Sequence, residues 1–261
     1  MFEFHKNREQ YFTMQVQNAT QHVIPFIQQH KRVGEGTHVL EVGCGEAGVL
    51  KAFIAKGCTA VGVELYEDRL TEGKKYLQPE IAAGSLQLIA SNIYEVQQNF
   101  DNAFDIIILK DVIEHIHDQP KLIAKLKQFL KSGGIIFFGF PPWYMPYGGH
   151  QQVCNTAWLA RMPYVHLLPT FAYKRLLQAC GEGVPDLMEI RDTRITIEQF
   201  EKYAFNTGYT IVDKIHYLIN PIYQYKFGWQ ARKQYKLIQA IPYLRNFFTT
   251  CVYYIITPKV K

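Results

Sequence analysis

The sequence predicts an α/β fold built on a parallel sheet with helices on both of its faces. Three observations predict it. Apolar, strand-length runs alternate with helix-length stretches between residues 37 and 140. Those runs are apolar nearly throughout, as in strands buried on both faces. A glycine turn, Gly43-Cys44-Gly45, joins the first run to the first helical stretch, a place where such a sheet can receive a ligand.

The elements follow in order. Ahead of the core, Phe12, Val16, Val23 and Phe26 recur at helical spacing and predict one or two helices within 1–36. The first strand covers 37–42, and a helix over 47–56 ends at Gly57. A second strand at 59–64 precedes a helix near 67–76. Strands at 86–90 and 104–109 come next, then a helix over 122–131 and, after Gly133-Gly134, a strand at 135–140. Residues 141–195 are too long for a plain connection and predict a cap. A helix at 196–206 and strands at 208–218 and 250–256 complete the chain, with a second insertion, 219–248, between those strands. The predicted organisation is an N-terminal helical segment, 1–36, and one domain, 37–261, carrying both insertions.

Composition narrows the class. Of 261 residues, 48% are hydrophobic and 20% charged, so a chain of this length can bury its core without staples. Cys44, Cys58, Cys154, Cys180 and Cys251 form no Cys-x-x-Cys pair, which argues against a disulfide scaffold and a structural zinc site. The first ten residues are polar, unlike a signal peptide, and the longest apolar run is too short to cross a bilayer. A cytoplasmic protein is expected. From Lys214 onward there are eight Lys or Arg and no acid, while residues 1–213 carry a net −3. That basic end points to an anionic partner.

Gly43, Gly45 and Gly48 fit G-x-G-x-x-G between a strand and a helix, where missing side chains let backbone approach a ligand. Glu64 ends the next strand and can accept both ribose hydroxyls. An adenosine-containing cofactor follows. A diphosphate wants a helix N-terminus free of negative charge, and here Glu41 and Glu46 flank the turn. Both acids suit the ammonium and sulfonium of S-adenosylmethionine. No tyrosine is followed four residues on by lysine, so a short-chain dehydrogenase would lack its acid.

LEVGCGEAG, VGVEL, FDIIILKDVIEHI and FLKSGGIIFFGFPP, in that order, resemble the core motifs of class I S-adenosylmethionine-dependent methyltransferases, close to the ubiquinone-biosynthesis-like group. The resemblance is strong over about 37–142 and weak over 196–256. It implies a Rossmann-like, seven-stranded, mostly parallel sheet ending in an antiparallel edge. It implies that Glu41, Gly43 and Gly45, with Cys44 between them, cradle the methionine part of the cofactor. Glu64, beside Leu65, would hold the ribose. Asn92, followed by Ile93, stands where the family usually has an Asp facing the adenine amine. Lys110 would pack near the methionine end.

Methyl transfer from a sulfonium needs orientation and, for a hydroxyl acceptor, a base. Asp111, Glu114 and His115 follow the fourth strand at i, i+3 and i+4 and would share a face if a helix starts there. With His150, from the loop after the fifth strand, they could hold Mg²⁺ or Mn²⁺. The alternative is metal-free catalysis by His150, with His115 catalytic or simply bonded to a neighbouring loop. Pro141-Pro142 is not the amino-methyltransferase motif, which belongs after the fourth strand, so nucleic-acid bases are disfavoured as acceptors. The spaced cations and aromatics of 223–245 could lie on an anionic membrane, stack RNA bases, or form a solvated helix packed on the cap. The expected function is O-methylation of a small-molecule, lipid-linked or glycan-linked acceptor. Two rivals stand beside it: an NAD-dependent oxidoreductase and a non-catalytic S-adenosylmethionine-binding partner protein. Nothing in the chain fixes the oligomeric state.

Overall fold

Strand order sets the site's position. The computed structural model describes residues 7–96, 99–149, 151 and 154–259. Helix α1 (Arg8–Asn18) runs through a π-helical turn, Ala19–Val23, into α2 (Ile24–Gln28). Then come β1 (His38–Val42), α3 (Gly48–Ile54), β2 (Thr59–Glu64), α4 (Glu67–Tyr76), α5 (Gln78–Ala82), β3 (Leu86–Ala90) and β4 (Phe104–Lys110). Helix α6 (Gln119–Phe129) and β5 (Leu130–Phe140) close the first half. The cap holds α7 (Ala157–Arg161), α8 (Thr170–Ala179) and α9 (Val184–Thr193). Helix α10 (Ile197–Asn206) and β6 (Tyr209–Ile219) lead to the second insertion, made of α11 (Tyr223–Phe227), β7 (Arg232–Lys233), α12 (Lys236–Gln239) and α13 (Leu244–Phe247). Strand β8 (Cys251–Pro258) ends the sheet.

The sheet order is β3-β2-β1-β4-β5-β8-β6-β7. Strands β1 to β5 pair in parallel, and β8 runs antiparallel between β5 and β6. The seven expected strands are present; the eighth, β7, is a two-residue edge pair on β6 that composition could not signal. The order reverses between β1 and β4, so the crevice beyond their carboxyl ends is where an open α/β sheet accepts a ligand.

The N-terminal helices pack onto the core. Val23, Ile24, Phe26 and Ile27 are buried in the core on one face of the sheet. Phe26 lies 6.3 Å from Phe137 and 6.2 Å from Tyr253, ring centre to ring centre. Each such aromatic burial contributes on the order of 1.5–3 kcal/mol. On the opposite face, Leu122 and Leu126 of α6 and Phe200 of α10 pack with Phe138, Phe140 and Tyr254.

Two expected elements move. Helix α6 starts at Gln119, where the Asp118 carboxylate caps it by accepting from the Lys121 N–H at 3.0 Å. Residues 223–245 do not form one helix: Gly228, at φ 74°, stops α11 after five residues, and the chain turns back to pair as β7. Among the described residues no helix is long and apolar enough to cross a membrane.

Candidate active site

The carboxyl end of β1 delivers Glu41, and the chain then turns sharply. Gly43 and Gly45 have φ of 69° and 55°, conformations that favour glycine. The Gly43 N–H donates to the Val63 carbonyl at 2.7 Å, which pins the turn to β2. A side chain on Gly43 would come within 2.5 Å of Val112. The turn is thus enclosed by the segment after β4 as well as by its own strand.

A cavity of about 270 Å³ lies over this turn. Glu41, Gly43, Cys44, Glu46 and Gly48 form its floor, Lys110, Asp111 and His115 one wall, and Tyr11, Phe12 and Gln15 of α1 the roof. Helix α1 sits so close that a Cβ on Gly48 would meet the Phe12 carbonyl and the Gln15 side chain, both at 2.8 Å. Gln15 in turn donates to the Tyr11 hydroxyl at 2.9 Å.

The acids of the site differ sharply in their partners. Glu41 is buried, and its Oε2 has no hydrogen-bond partner among the described residues. Burial raises its pKa well above the ordinary carboxyl range, with Lys110 opposing the rise. Glu46 is instead paired with Arg69, at 3.1 Å. This corrects the sequence reading of two free acids beside the turn: only Glu41 is left to meet a cation. Glu64 accepts from the Gly45 N–H at 2.8 Å and from the Leu65 and Tyr66 N–H groups at 2.9 and 3.1 Å. Its carboxylate is therefore held in place beside the turn.

Lys110 is buried, and its ammonium lies 2.5 Å from the Asp111 carboxylate. Burial disfavours that charge, but Asp111 and Tyr11 more than offset the cost, and the pKa rises above the usual lysine value. Lys226, from the second insertion, reaches the same region with its ammonium 5.3 Å from the Tyr11 ring centre. Burial lowers its pKa to about 8, Asp111 raising it and Lys110 lowering it.

The expected set at the end of β3 lies beside the cavity rather than on its wall. Ser91 donates to the Glu64 carbonyl at 3.0 Å, so Asn92 and Ile93 follow directly on from the end of β2. Asn92 uses its side-chain oxygen to accept from the Tyr94 N–H at 3.1 Å, and Ile93 is buried. Leu65, by contrast, is 61% exposed.

The proposed metal set does not assemble. Residues 113–115 form a single 3₁₀ turn, not the start of a helix, so i, i+3 and i+4 do not align. Asp111 lies at φ 56° and engages Lys110. Glu114 lies instead on a second, small cavity of about 30 Å³, walled by Pro141, Pro142, Trp143, Tyr147 and Arg194. Neither of its carboxylate oxygens has a hydrogen-bond partner among the described residues, and burial raises its pKa well above the usual value. Among the described residues no three His, Cys, Asp or Glu side chains gather as a metal site would need. His150 lies outside the described residues. Of the two histidines expected to be catalytic, His115 is at the cavity wall.

The loop after β5 is fixed by a residue the sequence did not single out. His166 is fully buried, and its Nε2 donates to the Trp143 carbonyl at 2.8 Å. Burial lowers its pKa to about 4. Gly148 and Gly149 have no room for side chains, because a Cβ on Gly148 would lie 2.3 Å from the Trp143 carbonyl and 2.5 Å from His166.

A family model described as a methyltransferase domain matches residues 12–212. This chain belongs to that family. The match begins at Phe12, within α1, the helix that roofs the cavity. Curated relatives of this methyltransferase-family chain include the ubiquinone biosynthesis O-methyltransferase of Methylococcus capsulatus, 30% identical over 115 residues, 43% of this chain and 46% of the relative. The enzyme of the same name from Thiobacillus denitrificans is 27% identical over 103 residues, 40% of this chain and 44% of the relative. The chain spans about half the length of the curated relatives it matches. Among solved structures, an S-adenosylmethionine-dependent methyltransferase from Clostridium acetobutylicum aligns with a TM-score of 0.57 at 14% identity, covering 94% of this chain and 92% of the other. A geranyl diphosphate C-methyltransferase from Streptomyces coelicolor aligns with a TM-score of 0.57 at 12% identity over 90% of this chain and 78% of the other. At these identities the likeness is one of fold, that of class I S-adenosylmethionine-dependent methyltransferases.

Arg69, Tyr11, Phe12 and Gln15 belong to the site and were missed in the sequence. An acid inside the glycine turn, Glu46, was the signal that a cation had to come from elsewhere. The helical spacing of Phe12 and Val16 marked a packed face without saying what it packs on.

Proposed function

We propose that the protein is an S-adenosylmethionine-dependent methyltransferase acting on an oxygen of a small-molecule, lipid-linked or glycan-linked acceptor. The observation that carries this reading is Glu41: a buried carboxyl with an unpartnered oxygen on the floor of a cavity of about 270 Å³, beside a glycine turn. An ammonium placed there would satisfy that oxygen and restore the ionised form. Lys110, on the wall of the same cavity, suits the carboxylate of the same amino-acid moiety. In this proposal Glu64, with Leu65 beside it, takes the ribose, and Asn92 and Ile93 border the adenine, next to the cavity rather than on its wall. Cys44 is buried in the turn between the two glycines.

S-adenosylmethionine, when bound, supplies an electrophilic methyl group. The chain's part is to hold the acceptor in line with that methyl and to take the hydroxyl proton. In this proposal His150 or His115 takes that proton; His115 lines the cavity. We assign the second small cavity, with Glu114 and the stiff Pro141-Pro142 wall, to the acceptor. A divalent cation has no place in this reading, because Lys110 already occupies the Asp111 carboxylate.

The test is calorimetric titration of S-adenosylhomocysteine and NAD into the purified protein. Binding of S-adenosylhomocysteine alone supports the proposal. Binding of NAD alone would replace it with an oxidoreductase. Binding without product formation from any catechol, polyprenyl-phenol or glycan acceptor would favour a non-catalytic partner protein.

A further inference from the structure

The second insertion presents an unusual surface. Along residues 229–248, Trp229, Tyr235, Leu237, Tyr243 and Phe248 are 53%, 55%, 75%, 71% and 44% exposed. Arg232, Lys233 and Lys236 are exposed among them, and the chain carries no Asp or Glu after Asp213. Exposed aromatic and aliphatic side chains interspersed with cations, with no acid among them, form the composition of a surface that enters the headgroup layer of an anionic bilayer.

Hydrogen bonds hold the backbone of this segment. Arg245 and Asn246 point inward, where Arg245 bonds Glu198 at 2.8 Å and Glu201 at 3.0 Å and Asn246 bonds Glu198 at 2.7 Å. Tyr243 takes φ 64°, a conformation unfavourable to a residue with a side chain. It is kept there by its N–H, which donates to Glu198 at 2.9 Å. Gln234 ties the strand side of the insertion to the Phe248 carbonyl. These bonds fix the backbone of the insertion while the apolar side chains stay exposed.

The surface is also linked to the loop after β5 and to the cap. The Phe247 ring stacks on Tyr144 of the loop after β5, 5.1 Å between centres, and the Phe247 carbonyl accepts from the Tyr164 hydroxyl at 2.8 Å. We propose that residues 229–248 dock the protein on an anionic lipid bilayer, with the loop after β5 turned toward the membrane. The charge pattern selects that occupant: a second copy of the chain would set one basic face against another.

Docking goes beyond the methyltransferase reading and does not depend on it. The probe is cosedimentation with vesicles of pure phosphatidylcholine and with vesicles half phosphatidylglycerol. The wild-type chain should bind the anionic vesicles selectively and be released by salt. The Arg232→Gln/Lys233→Gln/Lys236→Gln variant should bind roughly 100-fold more weakly, and Leu237→Ser/Tyr243→Ser at least ~10-fold more weakly. The thermal midpoint and far-ultraviolet circular dichroism of both variants, measured on the same samples, should stay at the wild-type values and so report folding independently of any cofactor. Three results would overturn the proposal: no selective binding by the wild type, equal binding by the charge variant, or a dimer in light scattering that Leu237→Ser abolishes. Tighter binding to single-stranded RNA than to vesicles would assign the surface to nucleic acid instead.

Discussion

Arg69 lies across Gly45: a side chain at Gly45 would stand 2.5 Å from its guanidinium, which is at the same time bonded to Glu46 at 3.1 Å. The cation from α4 therefore closes the glycine turn and neutralises the acid within it. Gly45→Ala faces both that contact and the left-handed backbone, a cost of roughly 1–3 kcal/mol. S-adenosylhomocysteine affinity should fall at least ~10-fold in calorimetry. An unchanged affinity would mean that the turn is not part of the binding surface.

Glu41 should trade stability for binding. Its folded-state pKa is raised, so its stabilising contribution is complete below the ordinary glutamate value and lost as pH rises through the raised one. Glu41→Gln removes that loss. Urea denaturation at pH 8 should show the variant at least as stable as the wild type, while S-adenosylhomocysteine binding weakens at least ~10-fold. Loss of both properties together would place Glu41 in the scaffold rather than in the site.

Removing divalent metal should change little. The Asp111 carboxylate is engaged by Lys110 at 2.5 Å and Glu114 faces the other cavity. Dialysis against a chelator should leave the thermal midpoint and the rate of methyl transfer unaltered, and Mn²⁺ titrated into wild-type protein should show no saturable heat. Restoration of activity by Mn²⁺ after dialysis would restore the metal reading.

His166 should make the cap acid-sensitive. Its pKa is about 4 when folded, against 6.5 for the free imidazole. The unfolded chain therefore takes up a proton first, and stability from this group is lost as pH falls from about 6.5 to about 4, by at most about 3 kcal/mol. His216, lowered to about 4 by burial as well, adds to the same window. His166→Gln should flatten the difference between denaturation curves at pH 7 and pH 5. Gly148→Ala, which would force a side chain against the Trp143 carbonyl, should loosen the same loop and leave S-adenosylhomocysteine affinity intact.

The sheet was legible because its strands announce themselves. Residues 59–64 and 86–90 are apolar runs between turn residues, and their bounds coincide with β2 and β3. The glycine turn and the acid at the end of β2 were legible for a related reason: close backbone approach demands residue types that stand out. What was not legible depends on contacts between distant parts of the chain. Nothing local to Arg69 says that it pairs with Glu46, and nothing in Lys226 says that it reaches Tyr11. The spacing of Asp111, Glu114 and His115 suggested a helical face, but the left-handed backbone at Asp111 and the 3₁₀ turn after it turn the three apart. Spacing predicts proximity only when the backbone type is known.

The residues that roof the cavity and those that plug the sheet lie on one helical run, with the π turn Ala19–Val23 between them. Tyr11, Phe12 and Gln15 touch the site, whereas Ile24, Phe26 and Ile27 are fixed in the core. A π turn carries wide-pitch hydrogen bonds and is a natural joint in a helix. One helical run thus roofs the cavity at its first half and anchors in the core at its second, so that filling the cavity and packing the sheet bear on the same element. Amide exchange should divide at this joint, faster over 8–18 than over 24–28, and spent product should slow it on the near side alone.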